Sequence, residues 1–165
     1  MIWRSFIVLL PLSVVLPGYM TSGQYTEIIT VLERTAASTT QVGFQTVAKG
    51  YRSGVRAPLQ VVLRNQNEWE TLWRRHTSID VTPPPLPAID FEKFTVVGLF
   101  RGDKPTGGYE VEIIRAEPSN TDLVILYRER SPTGQGVVIQ SLTQPFHIVQ
   151  VIGAVYSGVI FRRDL

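Results

Sequence analysis

Cysteine is absent from this 165-residue chain, and histidine occurs only twice. The first absence removes disulfides, thiolate nucleophiles and a lipid-attachment thiol; the second leaves any transition-metal site to lean on carboxylates. Asp80, Asp90, Asp103, Asp122 and Asp164 show no ligand spacing such as His-Glu-x-x-His or an EF-hand loop, so neither a metal nor another cofactor is expected. Charge of one sign is also scarce. The formal net charge is +2 and the arginines are scattered, which leaves no polybasic arm for nucleic acid or anionic lipid. Long hydrophobic runs are missing as well: the longest apolar stretch, Phe6 to Leu16, is interrupted by Pro11 and Ser13 and is short for a membrane span.

That stretch has another reading. Met1-Ile2-Trp3-Arg4 carries one cation and no acid, the apolar run follows, and Thr21-Ser22-Gly23 supplies small or polar residues suited to cleavage, with Gln24 as the new N-terminus. Residues 1–23 are therefore expected to be an export signal, with no membrane span after its removal. An uncleaved anchor helix is the competing reading, disfavoured by Pro11 and Pro17. Export without cysteine points to a bacterial periplasm or the cell exterior.

The parts of a catalytic site are also few. Ser131-Pro132-Thr133-Gly134-Gln135-Gly136 lacks the Gly-x-Ser-x-Gly elbow, and no serine sits in a strand–turn–helix context. His147, flanked by Phe146 and Ile148, reads as a packed strand histidine. Glu110 and Glu112 share one face of a strand and read as a solvated pair. The glycines after Lys104 run from strand to strand without a helix N-terminus, so they do not form a phosphate cradle. The chain is not expected to be an enzyme.

What is present is a β-rich domain from residue 44 to 165, preceded by a Thr, Ser and Gln-rich extension over 24–43. Residues 44–55 read as a strand kinked at its glycines, with Leu59 to Leu63 as a partner for a hairpin or bent edge. A helix is expected from Asn67 to His76, with Asn67 as cap and Glu70 reaching back, and with Trp69, Leu72, Trp73 and His76 on one inward face. Pro83-Pro84-Pro85-Leu86-Pro87 reads as a stiff spacer. Phe94 to Phe100 is hydrophobic on both faces and reads as a central strand, and further strands are expected from Tyr109, at Leu123 to Arg130, Val137 to Leu142, Phe146 to Ile152 and Val159 to Phe161. The expected fold class is α+β: a mainly antiparallel β sandwich or barrel with one amphipathic helix packed on it.

Between two of these strands lies Gly102-Asp103-Lys104-Pro105-Thr106-Gly107-Gly108-Tyr109. It combines a rigid residue, a hydroxyl, adjacent glycines and an aromatic in a single turn, which suits a contact loop. Together with Gly50-Tyr51-Arg52-Ser53-Gly54, the helix, the strand from Asp90-Phe91 to Phe100 and the segment Leu142-Thr143-Gln144-Pro145-Phe146-His147-Ile148-Val149, this turn resembles the PrcB C-terminal family over about residues 44 to 162. The resemblance implies a noncatalytic exported subunit that associates with a protease and supports its assembly or stability. A second likeness concerns loops alone. Pro105 to Tyr109, then Thr133 to Gly136, then Gln144-Pro145-Phe146 are similar in order to the three loops of chagasin-type protease inhibitors, with a second Gly in place of Thr, Gln144 in place of Arg, and short spacing between the last two motifs.

The residues and the resemblance converge on a protein partner, a protease, bound through Pro105, Thr106, Gly107, Gly108, Tyr109, Gln144, Pro145 and Phe146, with Tyr109 and Phe146 as aromatic anchors. Two alternatives stay open: a protease inhibitor of chagasin-like loop geometry, and a small-molecule or glycan-binding module built on Trp69, Tyr109 and His147.

Overall fold

The computed structural model describes residues 41–133, 139–153 and 156–164. The expected signal at 1–23 and nearly all of the 24–43 extension lie outside the described residues, as do Gly134 to Gly136 of the second chagasin-like loop.

Seven strands and one helix follow in the order β1 (Phe44–Gly50), β2 (Pro58–Leu63), α1 (Gln66–His76), β3 (Phe94–Arg101), β4 (Glu110–Ser119), β5 (Asp122–Arg130), β6 (Phe146–Ile152) and β7 (Val159–Arg163). They form a four-stranded sheet, β1-β6-β3-β2, and a three-stranded sheet, β4-β5-β7. Every pairing is antiparallel except β5 with β7. The sheets stay separate, so the architecture is the sandwich and not a closed barrel.

The four-stranded sheet is the middle layer. Along β3 and β6 successive side chains point to opposite faces, and both faces are apolar. Val96, Phe100, Phe146 and Ile148 pack against Trp69, Leu72 and Trp73 of α1. Val97, Leu99, Val149 and Val151 pack against Val111, Ile113, Leu123 and Ile125 of the second sheet. Burial on both faces is what the uninterrupted hydrophobic run of β3 calls for.

Helix α1 buries the expected stripe of Trp69, Leu72, Trp73 and His76, but it is capped two residues earlier than the spacing suggested. Asn65 accepts the Glu68 N–H at 3.0 Å, and the Glu68 carboxylate accepts the Arg64 N–H at 2.9 Å. Asn65 sits one step outside the first helical residue, where its extended backbone frees the side chain to cap, whereas Asn67 is already inside the first turn. The proline segment is more than a spacer. The Trp73 indole donates to the Pro84 carbonyl at 3.2 Å and the Trp69 indole to the Pro87 carbonyl at 2.9 Å, so the stiff segment lies along the helix and satisfies both buried indoles.

Pairing departs from expectation in two places. β1 and β2 form no hairpin with each other, because β1 pairs with β6 and β2 with β3. Residues 139–142 do not form a strand, and Val137 and Val138 lie outside the described residues.

Candidate functional site

Because β3 and β4 belong to different sheets, the glycine turn closes no hairpin; it carries the chain from one sheet to the other. Its first glycine, Gly102, has φ +67°, and a Cβ there would lie 2.5 Å from the Arg56 carbonyl oxygen. Gly108 takes φ +84°, whereas Gly107 does not enter the left-handed region. The backbone freedom needed by the turn thus sits at positions 102 and 108.

The turn is strapped to the segment that enters β6. Lys104 and Thr143 exchange both backbone hydrogen bonds, at 2.7 and 2.9 Å, and the Gly107 N–H donates to the Ile139 carbonyl at 2.8 Å. The Thr143 hydroxyl donates to the Thr106 carbonyl at 2.8 Å. The structure therefore brings the Pro105–Tyr109 and Gln144–Phe146 motifs side by side, though not as two projecting loops. Pro105 and Gly108 are exposed, while Thr106, Gly107 and Tyr109 are half-buried. The Thr106 hydroxyl is engaged locally, donating to the Gly107 carbonyl at 3.1 Å. Tyr109 lies beneath two cations, with Arg101 5.4 Å and Lys104 5.8 Å from its ring centroid.

Gln144, Pro145 and Phe146 are buried. The Gln144 amide donates to the Asp103 carboxylate at 2.8 Å, and Phe146 stacks on Phe100 with ring centroids 6.0 Å apart. Once packed this way, Phe146 is core and cannot serve as an outward anchor. The third chagasin-like loop therefore does not protrude.

Three exposed hydrophobics surround the strapped turn instead: Tyr51 at 50%, Ile139 at 76% and Leu142 at 54% exposure. Tyr51 is held by the Gln144 N–H on its carbonyl and by its own hydroxyl, which donates to Glu110 at 2.9 Å. That bond, with the Glu110 and Glu112 charges nearby, raises the Tyr51 hydroxyl above its ordinary pKa. Sequence reading missed Ile139 and Leu142 because they look like strand positions, and among the described residues 139–142 form no strand that would cover them. Exposed apolar side chains grouped around rigid backbone are a binding signal.

The chain enters the turn by way of Arg101, whose guanidinium bridges the sheets. It donates to the carbonyls of Arg130 at 2.6 Å and Glu110 at 3.2 Å and pairs with Glu129 at 3.3 Å. The side chain is only 9% exposed, so it holds the turn in place and is not available to a ligand.

Serine and histidine do meet, at Ser53 and His76, where Oγ and Nδ1 are 2.9 Å apart. Both are buried, and the Ser53 oxygen also accepts the Val55 N–H at 3.1 Å. His76 lies edge-on against Phe146 with 4.3 Å between centroids, and burial lowers its pKa despite the opposing charge of Asp80. The Asp80 carboxylate pairs with Arg52 at 3.4 Å. A hydrolytic serine must face a substrate, and this one faces the core.

The aromatic-pocket alternative fails on position. Trp69 is fully buried in the helix layer, His147 faces the opposite side of the middle sheet, and Tyr109 lies at the glycine turn. Glu112 is paired with Lys49 at 2.6 Å, which lowers its pKa, and Glu110 is engaged by Tyr51, so the two carboxylates make no acid–base pair. Among the described residues, no three His, Asp or Glu side chains group to hold a metal, and no helix is long and apolar enough to cross a membrane.

Residues 95–151 match the family model described as PrcB C-terminal. Over that span the chain is similar to the PrcB C-terminal family. The PrcB C-terminal match takes in nearly all of β3, the glycine turn, β4, β5 and β6 almost to its end, and so contains in full two of the segments that carried the resemblance, the glycine turn and residues 142–149. It does not extend over β1, β2 and α1, where the resemblance had also been read. No curated protein matches the chain, and no solved structure does.

Proposed function

We propose that this PrcB C-terminal domain is a noncatalytic, exported protein-interaction domain that associates with a protease and supports its assembly or stability. The observation that carries the reading is the exposed apolar group of Tyr51, Ile139 and Leu142 around a backbone turn already strapped into one conformation. A preordered loop loses little conformational entropy on binding, and apolar side chains beside it supply the contact area. The family match supplies the partner class.

The contact surface comprises Pro105, Gly108 and the exposed side of Tyr109, with Tyr51, Ile139 and Leu142. Gln144, Pro145 and Phe146 support it from within. The test is capture of partners by the full chain from the extracytoplasmic fraction of its native host, compared with a variant carrying Ile139→Ser and Leu142→Ser. These positions are exposed, so the variant folds. A protease recovered by the parent and lost by the variant, with shortened survival of its activity, is the expected result. Equal recovery of that protease by both chains sinks the reading.

A further inference from the structure

The outer edge of β2 is a second place where the fold leaves backbone unpaired. The Arg101 N–H donates to the Pro145 carbonyl at 2.9 Å, which turns the backbone groups of Arg101, Leu99 and Val97 toward β6. By the alternation of an antiparallel ladder, Phe100, Gly98 and Val96 then face β2, where their register partners are Leu59, Val61 and Leu63. Pro58, Gln60 and Val62 therefore point their backbone groups away from the sheet. Among the described residues no strand pairs with them on that side.

Each face of this edge has its own recess. On the helix side, a groove of about 510 Å³ runs between β2 and α1, floored by Leu59, Val61 and Leu72. On the other side, a cleft of about 340 Å³ is lined by apolar Leu99 and Val111 and by polar Gln60 and Tyr127, with Arg101 and Glu129 paired to each other in its wall, and reaches Lys104. Side chains of an extended peptide alternate between faces, so an edge with an apolar groove on one side and a mixed polar and apolar cleft on the other is matched to an added strand whose side chains alternate in character. Every pairing within this sheet is antiparallel, and an antiparallel addition runs from Leu63 toward Pro58. The C-terminal end of the incoming peptide then arrives beside Lys104, which makes no ion pair among the described residues.

We infer that the β2 edge binds an extended C-terminal peptide of a partner protein, added antiparallel, with apolar side chains in the groove beside α1, the alternate polar ones in the mixed cleft, and its terminal carboxylate at Lys104. This surface is distinct from the exposed group around the glycine turn and stands or falls apart from it. The edge has a built-in guard, since Pro58 lacks an N–H, so pairing is confined to Gln60 and Val62 and stays short.

The experiment titrates the full, isotope-labelled chain with an N-acetylated peptide of alternating threonine and valine, about six residues long, a common strand length, and follows backbone amide shifts by NMR. The expected result is saturable shifts centred on Gln60 and Val62, with binding lost when the peptide amides facing β2 are N-methylated. Amidating the peptide C-terminus, or changing Lys104→Gln, weakens binding by about threefold to fivefold. Val62→Pro removes an outward N–H without removing a ladder bond and abolishes binding in a chain that keeps its spectrum elsewhere; the N-methylated peptide tests the same bonds from the ligand side if that variant does not fold. Shifts centred elsewhere, no shifts at millimolar peptide, equal binding of the N-methylated peptide, or indifference to the terminal carboxylate overturns the inference. The Ile139→Ser plus Leu142→Ser variant binds this peptide as the parent does, which separates the two surfaces.

Discussion

The His147 Nδ1 atom accepts the backbone N–H of Ile113 at 2.8 Å, a bond that crosses from the middle sheet to the outer one. A ring nitrogen that accepts an N–H carries no proton, so the proton resides on Nε2, 2.9 Å from the Thr46 hydroxyl. Both partners lie at register shifts, one between Thr46 and Ala48 in β1 and one between Ile113 and Arg115 in β4. The extra residue in β4 breaks its ladder locally, and His147 satisfies the backbone group that results. Burial, with the charge of Lys49 and against that of Glu112, lowers the His147 pKa to about 4.

Stability is therefore expected to depend on acid in a defined window. Between the ordinary value of 6.5 and about 4 the unfolded chain binds the proton and the folded chain does not. The stabilisation from neutral His147 is complete above the higher value and is lost as pH falls toward the lower one. The loss amounts to about 3 kcal/mol at most, and His76, lowered in the same direction, adds to it. Urea midpoints measured across this range should fall less steeply for His147→Gln, whose amide oxygen still accepts the Ile113 N–H. Parallel curves for the two proteins would refute the assignment.

Trp73→Ala is expected to cost on the order of 3 to 5 kcal/mol, because a buried indole is removed together with its anchor on the Pro84 carbonyl. Trp69→Phe keeps most of the volume and loses the bond to Pro87, so it should cost about 1 to 3 kcal/mol. Denaturant unfolding of the two variants decides this, and a Trp73→Ala loss below about 1 kcal/mol would show that the stripe is not core.

Glycine substitutions in the turn should separate sharply. Gly102→Ala combines positive φ with a Cβ 2.5 Å from the Arg56 carbonyl oxygen, for a loss of about 2 kcal/mol or more. Gly107→Ala meets nothing nearer than Ile139 at 3.5 Å and should stay within about 0.5 kcal/mol of the parent. Equal melting temperatures for the two variants would contradict the turn geometry.

Arg101→Met is expected to destabilise by about 3 kcal/mol, since it strips the Glu110 and Arg130 carbonyls of their donor and leaves Glu129 with Arg163 alone, at 3.6 Å. The loss should also loosen the turn, seen as faster amide hydrogen exchange at Gly107. Exchange unchanged at that amide in a destabilised variant would show that Arg101 holds the sheets but not the loop.

Local chemistry determined much of this protein in advance. The offsets of Trp69, Leu72, Trp73 and His76 specify a helix with one apolar face, and the run from Phe94 to Phe100 specifies a strand covered on both sides, because side-chain direction follows backbone period. The glycine turn was recognisable from its residue types, and the Thr143–Val149 segment from its resemblance to the PrcB C-terminal family. Tertiary structure decided the rest. Which strands pair depends on long-range contacts that no local pattern encodes, so β1 went to β6 and β2 to β3. Phe146 became core and Ile139 and Leu142 became surface for the same reason: exposure belongs to a residue's neighbours in space, and residues 139–142 form no strand whose pairing would cover Ile139 and Leu142.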